Sequence, residues 1–294
     1  MSEGKVEGHV QSGVGEMLVR DVWEAVDRDK TMKAIGNCWV FDIKHHANGT
    51  IKKFKANFLA QGNRQRPGVD CTKTYTPTAS LMSLQLVLAH AACNQWTLVS
   101  FNVSGAYLHS LVKETVLVEP PIQFWPHLKG KVLCLKKTLY GMRQAGWCWW
   151  IFLSDILTQM GFAAIEVDQS LYVFSSVGTV IKIWIHVDDG SIASNSALAV
   201  ADFKRWLCME VDIKWHDMVS QIVGLECAFG KAEVAIAQKR LMASILEAYP
   251  WRIVKHDLPL PVLSMVNSAL EGNLLVPTPF CSVIGSLAYL VSGS

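Results

Sequence analysis

The sequence predicts an α+β fold built on a largely antiparallel sheet. Three observations predict it. Strand-like and helix-like segments mix without regular βαβ alternation. A hairpin signal stands early in the chain, where Asn48-Gly49 separates two strand-like runs. The clearest period-two pattern, Val180–Val187, runs straight into Asp188-Asp189-Gly190, which reads as a turn.

The elements follow in order. Residues 1–20 are Gly-rich, carry mixed charge and show no period, so they read as a loose lead-in. The hairpin comprises strands Cys38–Ile43 and Ile51–Leu59, with the turn at Ala47–Thr50. Asn-Gly suits that turn because both residues tolerate positive φ. Ser80 is placed to cap a helix through Cys93, with Leu81, Leu84 and Leu88 on one face. In the strand Thr97–Val103, Leu98, Ser100 and Asn102 face one way and Val99, Phe101 and Val103 the other. Short strands are predicted at Thr115–Glu119 and Val132–Lys136, and a helix at Ala145–Met160. After the Asp-Asp-Gly turn come a strand and a helix over Ala197–Met209. Strands at Gln221–Cys227 and Glu233–Ala237 and a helix at Gln238–Ala248 complete the pattern. Beyond Pro250 the chain is Pro-rich and irregular until Val283.

The totals exclude some classes. With 294 residues, 51% hydrophobic and 18% charged, the composition is globular, not disordered. Net charge is only +2, which neither demands nor excludes nucleic acid. A local basic stretch, Lys52, Lys53, Lys55, Arg64 and Arg66, reads either as a phosphate-contacting surface or as a solvated hairpin face. None of the eight cysteines falls in a CxxC pair, so reduced core thiols are expected rather than zinc or disulfides. No signal-peptide pattern is visible, and no apolar run reaches the roughly 18 residues of a membrane span.

Two adjacent aspartates repel each other, and a cation relieves that repulsion. Hard dications such as magnesium take carboxylate oxygens and keep waters or phosphates as further ligands. Asp188 and Asp189 therefore suggest a metal-dependent nucleotidyl-transfer site, against the bland alternative of a hydrated Asp-Asp-Gly turn.

Eight segments decide between them. They are KANFLAQG at Lys55–Gly62, GVDCTKTYTPTAS at Gly68–Ser80, FNVSGAYLHS at Phe101–Ser110 and KTLYGMRQAG at Lys137–Gly146. VDQSLY at Val167–Tyr172, IHVDDG at Ile185–Gly190, QIVGLEC at Gln221–Cys227 and SVIGSLAYL at Ser282–Leu290 follow. In the same order they resemble KARLVAQG, GVDYTETFSPVA, the DVxxAYLH polymerase motif, KALYGLKQAP, ADPSLF, the YVDD box, FLGLEI and the stretch leading toward ribonuclease H in copia-type retrotransposon reverse transcriptases. On these segments the chain is identified as a member of that family.

The resemblance implies a right-hand polymerase, with fingers and a palm of mainly antiparallel sheet. The expected division is a lead-in over 1–20, fingers and palm over 21–250, and over 251–294 a connection toward a ribonuclease H region. It implies template-directed DNA synthesis with two Mg2+ ions, Mn2+ being a possible substitute. The expected partners are an RNA or DNA primer-template and deoxynucleotides, with no membrane, in an intracellular, cytoplasmic setting. Asp188 and Asp189 match the metal-binding box, with His186 in place of its tyrosine. Tyr107 matches the aromatic under the incoming sugar. Lys55 falls in the nucleotide-facing segment. Gly141, Arg143 and Gln144 match the loop that touches template and nucleotide, and Gly224 lies in the segment that grips the primer end. Lys214 aligns only loosely with a proton donor.

Three positions depart from the family pattern. Asn102 stands where the first catalytic aspartate belongs, and none of Val103, Ser104 and Gly105 offers a carboxylate. Asn57 stands where an arginine faces the triphosphate, and an amide suits phosphate far less well than a guanidinium. Trp147 replaces a basic or small residue and is bulky enough to narrow the template path. Impaired catalysis is therefore expected. A non-catalytic nucleic-acid binder or domesticated retroelement protein is the alternative. The end at Ser294, just inside the stretch toward ribonuclease H, reads as a fragment of a polyprotein or a host gene built from one.

Overall fold

The computed structural model describes residues 17–45, 50–217, 219–248 and 285–290. The strands are β1 (Trp23–Asp27), β2 (Asn37–His45), β3 (Ile51–Ala60), β4 (Thr97–Val103), β5 (Leu117–Val118), β6 (Lys131–Leu135) and β7 (Ala163–Ala164). They continue with β8 (Leu171–Ser176), β9 (Thr179–His186), β10 (Asp189–Ser194), β11 (Ile213–His216), β12 (Gln221–Ile222), β13 (Leu225–Phe229) and β14 (Val234–Ala237). The helices are α1 (Leu81–Cys93), α2 (Ala145–Gln159), α3 (Ala197–Glu210) and α4 (Lys239–Ala248).

Six strands form the main sheet, in the order β11-β4-β10-β9-β8-β7, with every neighbouring pair antiparallel. The period of two explains its two faces. On one, Val99, Phe101, Val103, Ile181, Ile183, Ile185 and Ile192 pack against Trp149 and Leu153 of α2 and Phe203 and Leu207 of α3. On the other, Trp184 packs against Leu84 and Leu88 of α1, and the Trp184 indole donates to the Ser80 carbonyl at 3.0 Å. Ser80 caps α1 as expected, its hydroxyl accepting from the Met82 amide at 3.2 Å. The sheet is thus covered by helices on both sides, and the architecture is α+β.

The β2–β3 hairpin forms a sheet of its own. Its inward residues Phe58 and Ala60 enter a second core with Val118, Leu133, Leu139 and Met142. Phe58 sits 5.2 Å from the Trp39 ring and 5.9 Å from that of Trp23. The expected turn at Ala47–Gly49, the side chains of Lys52 and Lys53, the lead-in over 1–16 and the Pro-rich stretch over 251–284 lie outside the described residues.

Three expectations are corrected. Gln221–Cys227 is not one strand: Val223 and Gly224, at φ +47° and +77°, turn the chain between β12 and β13. The turn at the paired aspartates sits one residue earlier than predicted. Val187 and Asp188 form it, and Asp189 is already in β10, paired with His186. The cysteines are not core thiols as a class. Cys71 is buried, but Cys38, Cys93 and Cys208 are exposed, because alternation and helical rotation turn those positions outward. Strand β11 was not predicted at all, yet it flanks the site residue Asn102.

Candidate active site

Asn102 lies on β4 between two partners, Asp189 on β10 and Lys214 on β11. The same-face rule for cross-strand pairs brings these three side chains to one patch of the sheet. The Asn102 amide Nδ2 donates to both carboxylates, at 3.1 Å to Asp188 and 2.9 Å to Asp189. Burial pushes the Asp189 carboxyl above the usual range. The Asn102 hydrogen bond opposes that shift, the Asp188 charge adds to it, and His186 and His216 oppose it. The Val103 amide donates to the Asp188 carbonyl at 2.7 Å, tying the turn to the strand that carries Asn102.

Glycine at 190 has a packing reason. Phe101 pairs with it across the ladder and also lies 5.3 Å from the Trp215 ring on β11. The ring covers the space where a Cβ on Gly190 would sit, at 2.2 Å from its nearest atom.

Tyr107 is in a 3-10 turn, Ala106–His109, right after β4. Its carbonyl accepts from Thr138 and Ser110, and its ring meets that of Tyr140 at 4.8 Å. Burial raises the phenol's pKa, and the nearby Asp188 charge raises it further. Tyr107 lines an apolar cavity of about 170 Å³ with Trp149, His186 and Val187.

The loop expected to touch template is knitted into the hairpin. Gly141, at φ +85°, brings its backbone so close to Ala60 that a Cβ would lie 2.3 Å from the Ala60 carbonyl oxygen. The Ala60 amide donates to Tyr140 and the Gly62 amide to Gly141. Gln144 is buried; its Nε2 donates to the Asp70 carbonyl at 2.8 Å, and its Oε1 accepts from Gln65 at 2.9 Å. The Arg143 side chain donates to the Gly62 and Asn63 carbonyls. In this conformation Gln144 holds the loop's shape rather than presenting a polar group outward.

Lys55 and Asn57 are on β3, facing Asp42 and Val40 of β2. Lys55 is exposed and Asn57 half-buried. Arg66, part of the basic stretch, is engaged with Asp70 through its backbone amide, Nε and NH2. Gly224 lines a polar cavity of about 360 Å³ shared with Ser100, Asp189, His216 and Ser220. The strand that carries Asp189 and the expected primer-end turn therefore face one space. Ser100, His216 and Trp149 are site residues that the sequence reasoning missed; the strand alternation through Ser100 was the available signal for the first.

Two carboxylates spanned by one amide fit a single divalent cation, since the amide can also turn its oxygen inward. They do not fit two. Among the described residues there is no group of three His, Cys, Asp or Glu able to hold a metal, and Lys214 adds positive charge beside Asn102.

A family model described as reverse transcriptase (RNA-dependent DNA polymerase) matches residues 20–252. The retrovirus-related Pol polyprotein from transposon RE1 of Arabidopsis thaliana is 26% identical over 95% of this chain and 19% of its own length. That from transposon TNT 1-94 of Nicotiana tabacum is 23% identical over 95% of this chain and 22% of its own. The chain spans about a fifth of the curated relatives it matches. A solved structure of apo telomerase from Candida tropicalis, truncated from its C-terminal domain, aligns with TM-score 0.41 at 8% identity over 80% of this chain and 60% of that one. The family match runs through the hairpin, the sheet with its paired aspartates and the turn at Gly224, and on it the chain belongs to the reverse transcriptase family, among the copia-type retroelement members.

Proposed function

We propose that this domain holds a primer-template in a reverse transcriptase palm and copies it poorly, because its metal site has lost one carboxylate. The observation that carries the reading is the Asn102 amide spanning Asp188 and Asp189. An amide donor between two carboxylates relieves their repulsion without a cation. It therefore competes with the ion that the family chemistry uses.

Asp188 and Asp189 would hold one dication, taken here as Mg2+, with the amide oxygen of Asn102 as a weaker neutral ligand. Such an ion, when bound, stabilises charge on phosphate oxygens. The chain's own groups do the remaining work. Tyr107 offers its ring to the sugar of a deoxynucleotide. Gly141 and Gln144 fix the loop against the hairpin that carries Lys55 and Asn57. Gly224 turns the β12–β13 hairpin toward the cavity beside Asp189, where a primer end fits.

The test offers the purified chain an RNA or DNA primer-template with deoxynucleotides and Mg2+ or Mn2+. Binding is expected, weakening on the order of 10-fold or more as salt rises from about 50 to about 200 mM, because phosphate contacts release counterions. Extension is expected to be slow with either ion. Extension as fast as that of the Asn102→Asp variant would contradict the impairment. Absence of binding at low salt would contradict the nucleic-acid role.

A further inference from the structure

Two features of the catalytic turn stand apart from the metal ligands. Val187 has φ +58°, a left-handed conformation that a β-branched side chain resists. Its carbonyl lies outside the strand ladder, because His186 and Asp189 are the last paired residues. An unpaired backbone carbonyl in a partly buried site needs a partner. The partner is a side chain: Trp149 on α2 donates from its indole Nε1 to the Val187 carbonyl at 2.7 Å.

Trp149 is itself rigidly held. It is 2% exposed within the main core, 5.8 Å from the Phe152 ring and 6.1 Å from that of His109. Its helix starts immediately after Gln144, in the loop that is locked to the β2–β3 hairpin. The turn is thus held from two sides. The Val103 amide holds Asp188 from β4, and the Trp149 indole holds Val187 from α2.

We propose that Trp149 is a positioning residue for the catalytic carboxylates, acting through the Val187 carbonyl. It keeps a strained turn in the one conformation that places Asp188 and Asp189 together. The proposal rests on Asp188 and Asp189 being the metal ligands of the proposed polymerase site.

The test uses Trp149→Phe, which keeps an aromatic ring and deletes the N–H. Trp150→Phe is the control. That neighbouring indole is engaged with the Gln169 carbonyl, at 3.4 Å, and with Tyr172, not with the Val187 carbonyl. Both are made in the Asn102→Asp background. Two readouts are taken: Mn2+ affinity by electron paramagnetic resonance, and 15N relaxation of the amides of Val187, Asp188 and Asp189 without metal. Trp149→Phe is expected to unfold cooperatively, to lose about 10-fold in Mn2+ affinity, as partners of metal ligands commonly do, and to show exchange broadening at the turn. Trp150→Phe is expected to change neither. If Trp149→Phe disrupts folding, benzothienylalanine at 149 keeps the ring volume and removes only the donor, and the same losses are expected. Mn2+ affinity and turn relaxation equal to the control would overturn the proposal. Failure of Asn102→Asp to extend a primer would count against the polymerase reading alone, because the turn relaxation reports on Trp149 without catalysis.

Discussion

Asn102→Asp is expected to raise primer extension by on the order of 100-fold or more. The position is already built for a ligand. Asn102 sits on β4 opposite Asp189, and its side chain reaches both Asp188 and Asp189 within hydrogen-bond distance. Aspartate has the same size, so the packing should be unchanged while three carboxylates now face one another. Their repulsion then favours cations in place of the amide's two hydrogen bonds. Burial, which already raises the Asp189 carboxyl, increases that demand. Adding Asn57→Arg on β3 is expected to lower the nucleotide concentration needed, since a guanidinium fork binds phosphate better than an amide. Primer extension under single-turnover conditions checks both. A variant no faster than the parent would place the defect beyond residue 102.

Gly190→Ala is expected to destabilise the chain by about 3 kcal/mol, at the upper end of overpacking costs. A Cβ there would lie 2.2, 2.6 and 2.8 Å from three atoms of the Phe101 ring. The ring cannot easily retreat, because Trp215 flanks it on the other side. In a chain of this size the loss corresponds to a melting-temperature drop of about 5 °C. Phe101→Leu in the same chain is expected to recover part of it by opening that space. Thermal unfolding followed by circular dichroism decides; a drop of under about 2 °C would mean the hairpin shifts freely. The glycine after the paired aspartates is thus explained by packing rather than by turn conformation, since the turn itself lies at Val187 and Asp188.

Much of this arrangement was legible in the residues, for a local reason. The two hairpin strands, the Ser80 cap, strand Thr97–Val103 and helix α2 depend on alternation, capping and helical period within short windows. The placement of Asn102 beside Asp189 was legible only through the family resemblance, because the two are 87 positions apart. What failed was non-local. Strand β11 has four residues, two of them charged or polar, too short a pattern to separate from a loop. It exists because β4 offers it a free edge. The family resemblance puts Gln144 in the loop expected to touch template; that its side chain is buried was not legible in the sequence. Its partners, Gln65 and the Asp70 carbonyl, lie 79 and 74 positions earlier, and only the folded chain brings them together. Trp149 carries no motif that singles it out in the sequence. Its packing is that of a core residue, but its indole nitrogen ends at the turn that carries Asp188.

The central claim is that one missing carboxylate limits the proposed polymerase site. The most direct measurement counts Mn2+ ions bound tightly to the chain in complex with primer-template and a non-hydrolysable deoxynucleotide analogue. The account predicts one tightly bound ion for the parent chain and two for Asn102→Asp. Two tightly bound ions in the parent would contradict it.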